Sequence, residues 1–158
     1  MVFLSVLTLS SRSRYPVEYM EACKPSKTKI FFTCGYITMI LLSSLIPMDE
    51  NIRTFRFLLD LKPTIQNLLH IPAFAILAIL CMQILSYFSM DKVRKVALVF
   101  GFSIAFGILN ELIQAWVPGR YPGLLDIGLN CIGAMLGIFL FVMAERRHSG
   151  YLRRVVCG

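Results

Sequence analysis

The sequence predicts an all-α integral membrane protein, a four-helix bundle with both termini in the cytoplasm. Three observations carry that prediction. Of the 158 residues, 57% are hydrophobic and only 16% charged, and mean hydropathy is +0.70; soluble domains hold roughly 25% charged residues. The apolar residues gather into four runs, 30–47, 68–88, 96–117 and 124–144, each near the ~20 residues that cross ~30 Å of hydrocarbon. Basic residues fall unevenly about those runs, and that bias sets orientation.

Each element follows in order. Residues 1–10, MVFLSVLTLS, are apolar, but they lack a basic start and are too short to span, so a cleaved signal peptide is not expected. The mixed polar stretch that follows holds Pro16 and Pro25 and completes an N-terminal segment, 1–29, expected to be cytoplasmic and poorly ordered. Met20 is an alternative start within it. The first run, 30–47, leads into an outer connection; the second, 68–88, tolerates Pro72 in its first turn, where no intrahelical bond is lost. A basic connection precedes the third run, and a Pro- and Gly-rich turn, residues 118–123, separates it from the fourth. Residues 145–158 form a basic cytoplasmic tail. No repeat or linker divides the chain, so residues 30–144 form one domain.

The basic count orients that domain. Arg12, Arg14, Lys24, Lys27, Lys29, Lys92, Arg94, Lys95, Arg146, Arg147, Arg153 and Arg154 lie on one side, and Arg53, Arg56, Lys62 and Arg120 on the other. The richer side is cytoplasmic. The net charge of +7 is accordingly topology and contact with anionic lipid. Nucleic-acid binding is not expected, because no basic motif is interleaved with aromatics. The five cysteines, Cys23, Cys34, Cys81, Cys131 and Cys157, form no CxxC or Cys/His cluster, so neither a disulfide framework nor a metal site is expected, and no cofactor is implied.

Against this apolar background the stretch NELIQAWVPGRYPGLLDIGLN, residues 110–130, is unusual. Charges in hydrocarbon cost at least ~2.5 kcal/mol each on insertion scales, which makes such residues candidates for function. At 1.5 Å per residue Glu111 lies about 7 Å above the midplane, Gln114 and His70 about 12 Å, and Asn130 about 6 to 7 Å, with Asp126 near the outer interface. Glu111, Gln114, Arg120, Asp126, Asn130 and His70 are thus predicted to share the outer half of the membrane as an outward-facing polar pocket. Glu111 is the candidate general acid or base, with His70 as a titratable partner. Arg120 matches a carboxylate or a phosphate bidentately, so it either pairs with Glu111 or Asp126 to brace the bundle or meets an anionic ligand. Gly107 lies on the polar face of the third helix. Gly133 and Gly137, a GxxxG pair aligned with Asp126 and Asn130, are predicted to pack the fourth helix on the third.

Residues 111–137, with Glu111 and Gln114 three apart, Pro118-Gly119-Arg120, Asp126, Asn130, Gly133 and Gly137, resemble the distinctive block of VanZ-like membrane proteins. NLLHIPAFAIL, residues 67–77, is similar to that family's earlier histidine block through His70 and Ala73. The family commonly has a basic residue three before this histidine and a tyrosine four after it, where this chain has Asn67 and Phe74. The resemblance implies a multi-pass protein of the bacterial cytoplasmic membrane, in the cell envelope and associated with lowered susceptibility to lipoglycopeptides such as teicoplanin. Its expected partners are the lipid bilayer and a lipid-linked cell-wall precursor or a lipoglycopeptide. Alternatives are an enzyme acting on a lipid-linked phosphate or ester, and a proton-coupled transporter.

Overall fold

The computed structural model describes residues 27–46, 67–118, 120 and 123–157, with side chains as far as residue 147. The expectations for residues 1–26, for the outer connection with Arg53, Arg56 and Lys62, for Gly119 and Tyr121, and for the side chains of Arg153, Arg154 and Cys157 lie outside the described residues. Four helices occur among the described residues: α1, Lys27–Ser44; α2, His70–Leu85; α3, Lys92–Gln114; and α4, Leu124–Cys157. No strand occurs among the described residues. Two segments, Lys92–Gln114 and Leu124–Arg147, are long and apolar enough to cross a membrane, and α2 is a shorter apolar helix.

The observed bounds depart from the hydropathy runs where polar groups complete a helix. Asp91 caps α3, its Oδ2 accepting from the Arg94 backbone N–H at 3.1 Å. The basic residues read as a connection are therefore the first turn of α3. At the other end of the chain α4 continues through the stretch expected as a tail. Lys92 Nζ meets Glu145 Oε2 at 3.0 Å, which puts the start of α3 beside the far part of α4.

Helix α2 touches all three others and shares its largest interface with α4. That interface corrects the predicted packing of the glycine pair. A Cβ on Gly133 would strike the backbone of Ile71, and one on Gly137 the backbone of Ala75. Both struck residues belong to α2, not α3. Ile71 and Ala75 are four apart, as Gly133 and Gly137 are, and both numbers rise together, so α2 and α4 run parallel with backbones in contact. The reason is steric: the missing side chains open a groove on α4 that admits the main chain of the neighbour.

The interior is layered along the bundle axis. Nearest the Lys92 end, Ala78, Met82, Val96, Val99, Ala134, Ile138 and Val142 form one buried apolar cluster. Above it Ile40, Phe74, Leu77 and Phe106 form a second, with the Phe74 and Phe106 rings 6.0 Å apart. Beyond these rings the interior becomes polar, with Ser44, Asn110, Glu111, Gln114, Asp126 and Asn130 all buried. The exterior is the reverse. Phe31, Met39, Leu98, Leu109, Leu112, Leu136 and Met143 are exposed.

Candidate functional site

The polar layer is built from helix ends. On α3 the spacing of Ser103, Gly107, Asn110, Glu111 and Gln114 places all five on the buried face. The first two turns of α4 bring Asp126 and Asn130 inward, α2 contributes His70 from its first turn, and α1 contributes Ser44 from its last. All six predicted site residues, Glu111, Gln114, Arg120, Asp126, Asn130 and His70, meet in this layer.

Hydrogen bonds tie the layer together across helices. Gln114 Nε2 donates to Ser44 Oγ at 3.2 Å, and Ser44 Oγ reaches Asn110 Oδ1 at 2.5 Å. The Ser44 hydroxyl has one proton and lies 3.0 Å from the Ile40 carbonyl as well, so it serves one of the two acceptors at a time. With its oxygen engaged, Asn110 turns toward the carboxyl of Glu111, which the Gly123 N–H also faces. His70 Nδ1 and Asn130 Oδ1 are 2.8 Å apart; the amide oxygen accepts, so the proton sits on Nδ1 and Nε2 is left for another partner. Gly107 makes room for this pair, since a Cβ there would lie 3.1 Å from Asn130 Nδ2 and 3.4 Å from Phe74.

The bracing role considered for Arg120 takes a different form from the carboxylate pairing. Its Nη2 donates to the Ser43 carbonyl at 3.0 Å and its Nε to the Ile46 carbonyl at 3.3 Å. Arg120 therefore caps the C-terminus of α1, where the last carbonyls lack intrahelical partners and the helix dipole is negative. Burial lowers the guanidinium's proton affinity from its ordinary value, and the nearby Glu111 charge opposes that shift. The pull of Glu111 is electrostatic rather than a formed ion pair.

Four buried polar atoms consequently have no hydrogen-bond partner among the described residues: Glu111 Oε1 and Oε2, Asp126 Oδ1 and Asn130 Nδ2. Glu111 is 4% exposed, Asp126 7% and Asn130 1%. Leaving such groups unpaired costs ~1 to 3 kcal/mol each, more for a charge. His70 and Asp126 are both close enough to Glu111 to act on its charge.

Three participants were not singled out as site residues from the sequence. Ser44 is one of two adjacent serines at a helix end, and a serine there reads equally as a local back-bond. Asn110 shares the face of Glu111 and Gln114, a signal that was available. Tyr36 Oη donates to the Ala73 carbonyl at 3.0 Å, docking α1 on α2, and nothing in its position announces it.

A family model described as VanZ/LLP1 matches residues 1–145 of the chain. No curated protein and no solved structure matches it.

Proposed function

This chain belongs to the VanZ/LLP1 family, and from that premise we propose that it is a four-pass protein of the bacterial cytoplasmic membrane whose outer polar layer binds the head of a lipid-linked or amphipathic molecule. The observation that carries this reading is the Glu111 carboxyl, buried above a floor of Phe74 and Phe106 with both oxygens unpartnered. A residue kept only to brace the helices would be paired, as Gln114 and Ser44 are.

Two further features support the setting. Large apolar side chains cover the outside while polar groups fill one end of the interior, the distribution suited to a hydrocarbon surround. The Lys92, Arg94, Lys95, Arg146 and Arg147 end lies opposite the polar layer, in keeping with cytoplasmic termini and an outward-facing site. Binding there would change how a cell-wall precursor or a lipoglycopeptide such as teicoplanin is presented at the outer face, and no bond need be made or broken.

The test expresses Glu111→Gln in a host lacking the native gene. Membrane abundance, lipoglycopeptide susceptibility and binding of labelled lipid-linked precursors to purified protein are read together. Normal abundance with lost precursor binding is expected. A folded variant that binds as the unmodified protein does would refute the site.

A further inference from the structure

We infer that the group held against Glu111 and Asp126 is a primary ammonium, so that the molecule bound in the polar layer is an amine-bearing amphiphile. The inference rests on the ligand-binding reading above and names the chemistry of the occupant.

The unpartnered atoms define a complement. Glu111 Oε1, Glu111 Oε2 and Asp126 Oδ1 are three buried acceptors that no described residue hydrogen-bonds, and an ammonium carries three N–H donors and no acceptor. The two carboxylates are brought together by Gly123: its N–H faces Glu111, while its Cβ position lies 3.5 Å from Asp126 Oδ2. Asp126 also occupies the first turn of α4, where the positive end of the helix suits a carboxylate.

Charge favours an amine over a neutral hydroxyl. Two acids face the layer, and the guanidinium of Arg120 is committed to the carbonyls of Ser43 and Ile46. His70 is engaged through Nδ1 with Asn130. Among the described residues, then, no cation is hydrogen-bonded to this buried pair of carboxylates, and a ligand cation would supply one. The remaining unpartnered atom, Asn130 Nδ2, is a donor, and with the uncommitted N–H groups of Arg120 it can meet an anionic oxygen beside the amine. An ammonium close to a phosphate or carboxylate satisfies both sets.

The experiment measures thermal unfolding of the purified full chain in detergent micelles against rising probe concentration. The probes are short-chain phosphatidylethanolamine, its trimethylated counterpart phosphatidylcholine, phosphatidylglycerol, and water-soluble ethylamine. Phosphatidylethanolamine should raise the midpoint saturably, and phosphatidylcholine, which has lost all three N–H donors, should be at least about tenfold weaker, as loss of a charge-assisted hydrogen bond implies. Ethylamine that competes would identify the amine alone as sufficient; an ethanolamine lipid acting without such competition would identify a lipid-borne amine.

Glu111→Gln should weaken phosphatidylethanolamine by about tenfold or more. Asp126→Asn, checked for monodisperse elution, carries the same test if the first variant does not fold. Glu145→Gln removes a carboxylate at the far end of the bundle and should leave binding unchanged. Equal response to phosphatidylcholine, or unchanged binding in folded Glu111→Gln and Asp126→Asn, would overturn the ammonium. Preference for phosphatidylglycerol would overturn it while sparing a ligand site, and no response to any amphiphile, lipid-linked precursors included, would remove both.

Discussion

Replacing Gly133 with Ala tests the α2–α4 contact that the rest of the site depends on. The new Cβ would lie 3.0 Å from Ile71 Cα and 3.1 Å from its carbonyl carbon, with the carbonyl oxygen nearer still. Carbon atoms pack at ~3.5 to 4.0 Å, so backbone must move away from backbone by ~0.5 to 1 Å. No flexible side chain is available to absorb that shift. A radial gap of this size forfeits a quarter to a half of each contact's well depth along an interface that buries Ala75, Ala78, Ala134 and Ile138. Overpacking of this kind costs ~1 to 3 kcal/mol, and the upper half of that range is expected here. The Asn130 to His70 bond at 2.8 Å spans the same pair of helices and should weaken with it. The assay is reversible unfolding in mixed micelles, with Gly128→Ala as the comparison, because nothing lies within 4 Å of a Cβ there. Equal stability of the two variants would refute the close parallel packing of α2 on α4.

Four other outcomes are expected. Glu111→Leu should leave stability unchanged or raise it by ~1 kcal/mol in the same assay, since no hydrogen bond to the carboxyl is formed among the described residues and a buried unpaired acid is removed; a large loss would mean the acid is structurally paired. Ser44→Ala strands Gln114 Nε2 and Asn110 Oδ1 and should cost ~1 to 3 kcal/mol by denaturant titration. Arg120→Lys keeps a charge but cannot donate from a planar fork to both the Ser43 and Ile46 carbonyls; faster proteolysis of the connection after α1 is expected, with the α3–α4 pair protected. Cysteine labelling from outside should modify a probe in residues 50–60 and spare one in 91–95; the reverse pattern would invert the orientation drawn from the basic residues.

Much of the architecture was legible because lipid leaves few options. Long apolar runs must be helices when their backbone groups are satisfied internally, and the described residues form four helices, two of them long and apolar enough to span. Their ends were less legible. Hydropathy measures transfer to hydrocarbon, whereas Asp91 starts α3 by accepting a hydrogen bond, and α4 passes Glu145, Arg146 and Arg147 without a break because helices continue readily outside the apolar zone. The gathering of Glu111, Gln114, Asp126, Asn130 and His70 followed from depth and face together.

Neighbour choice was the part that depth and face could not supply. Asp126, Asn130, Gly133 and Gly137 lie within about 60° of one another on α4 at 3.6 residues per turn, which reads as a stripe against a single helix. In the structure that arc is split: Asn130 stands over Gly107 of α3 and bonds His70 of α2, while the two glycines below it meet the backbone of α2. Each helix of a bundle touches more than one neighbour, so a polar group at the seam between two of them can reach both. The same seam accounts for the unpaired carboxyl of Glu111. With α2 and α4 drawn together by their glycine contact, and Arg120 held by the end of α1, the acid lies close to His70, Asp126 and Arg120 and is hydrogen-bonded by none of the described residues. A stability gain in Glu111→Leu accompanied by loss of amphiphile binding would identify the acid as retained for binding at the expense of the fold.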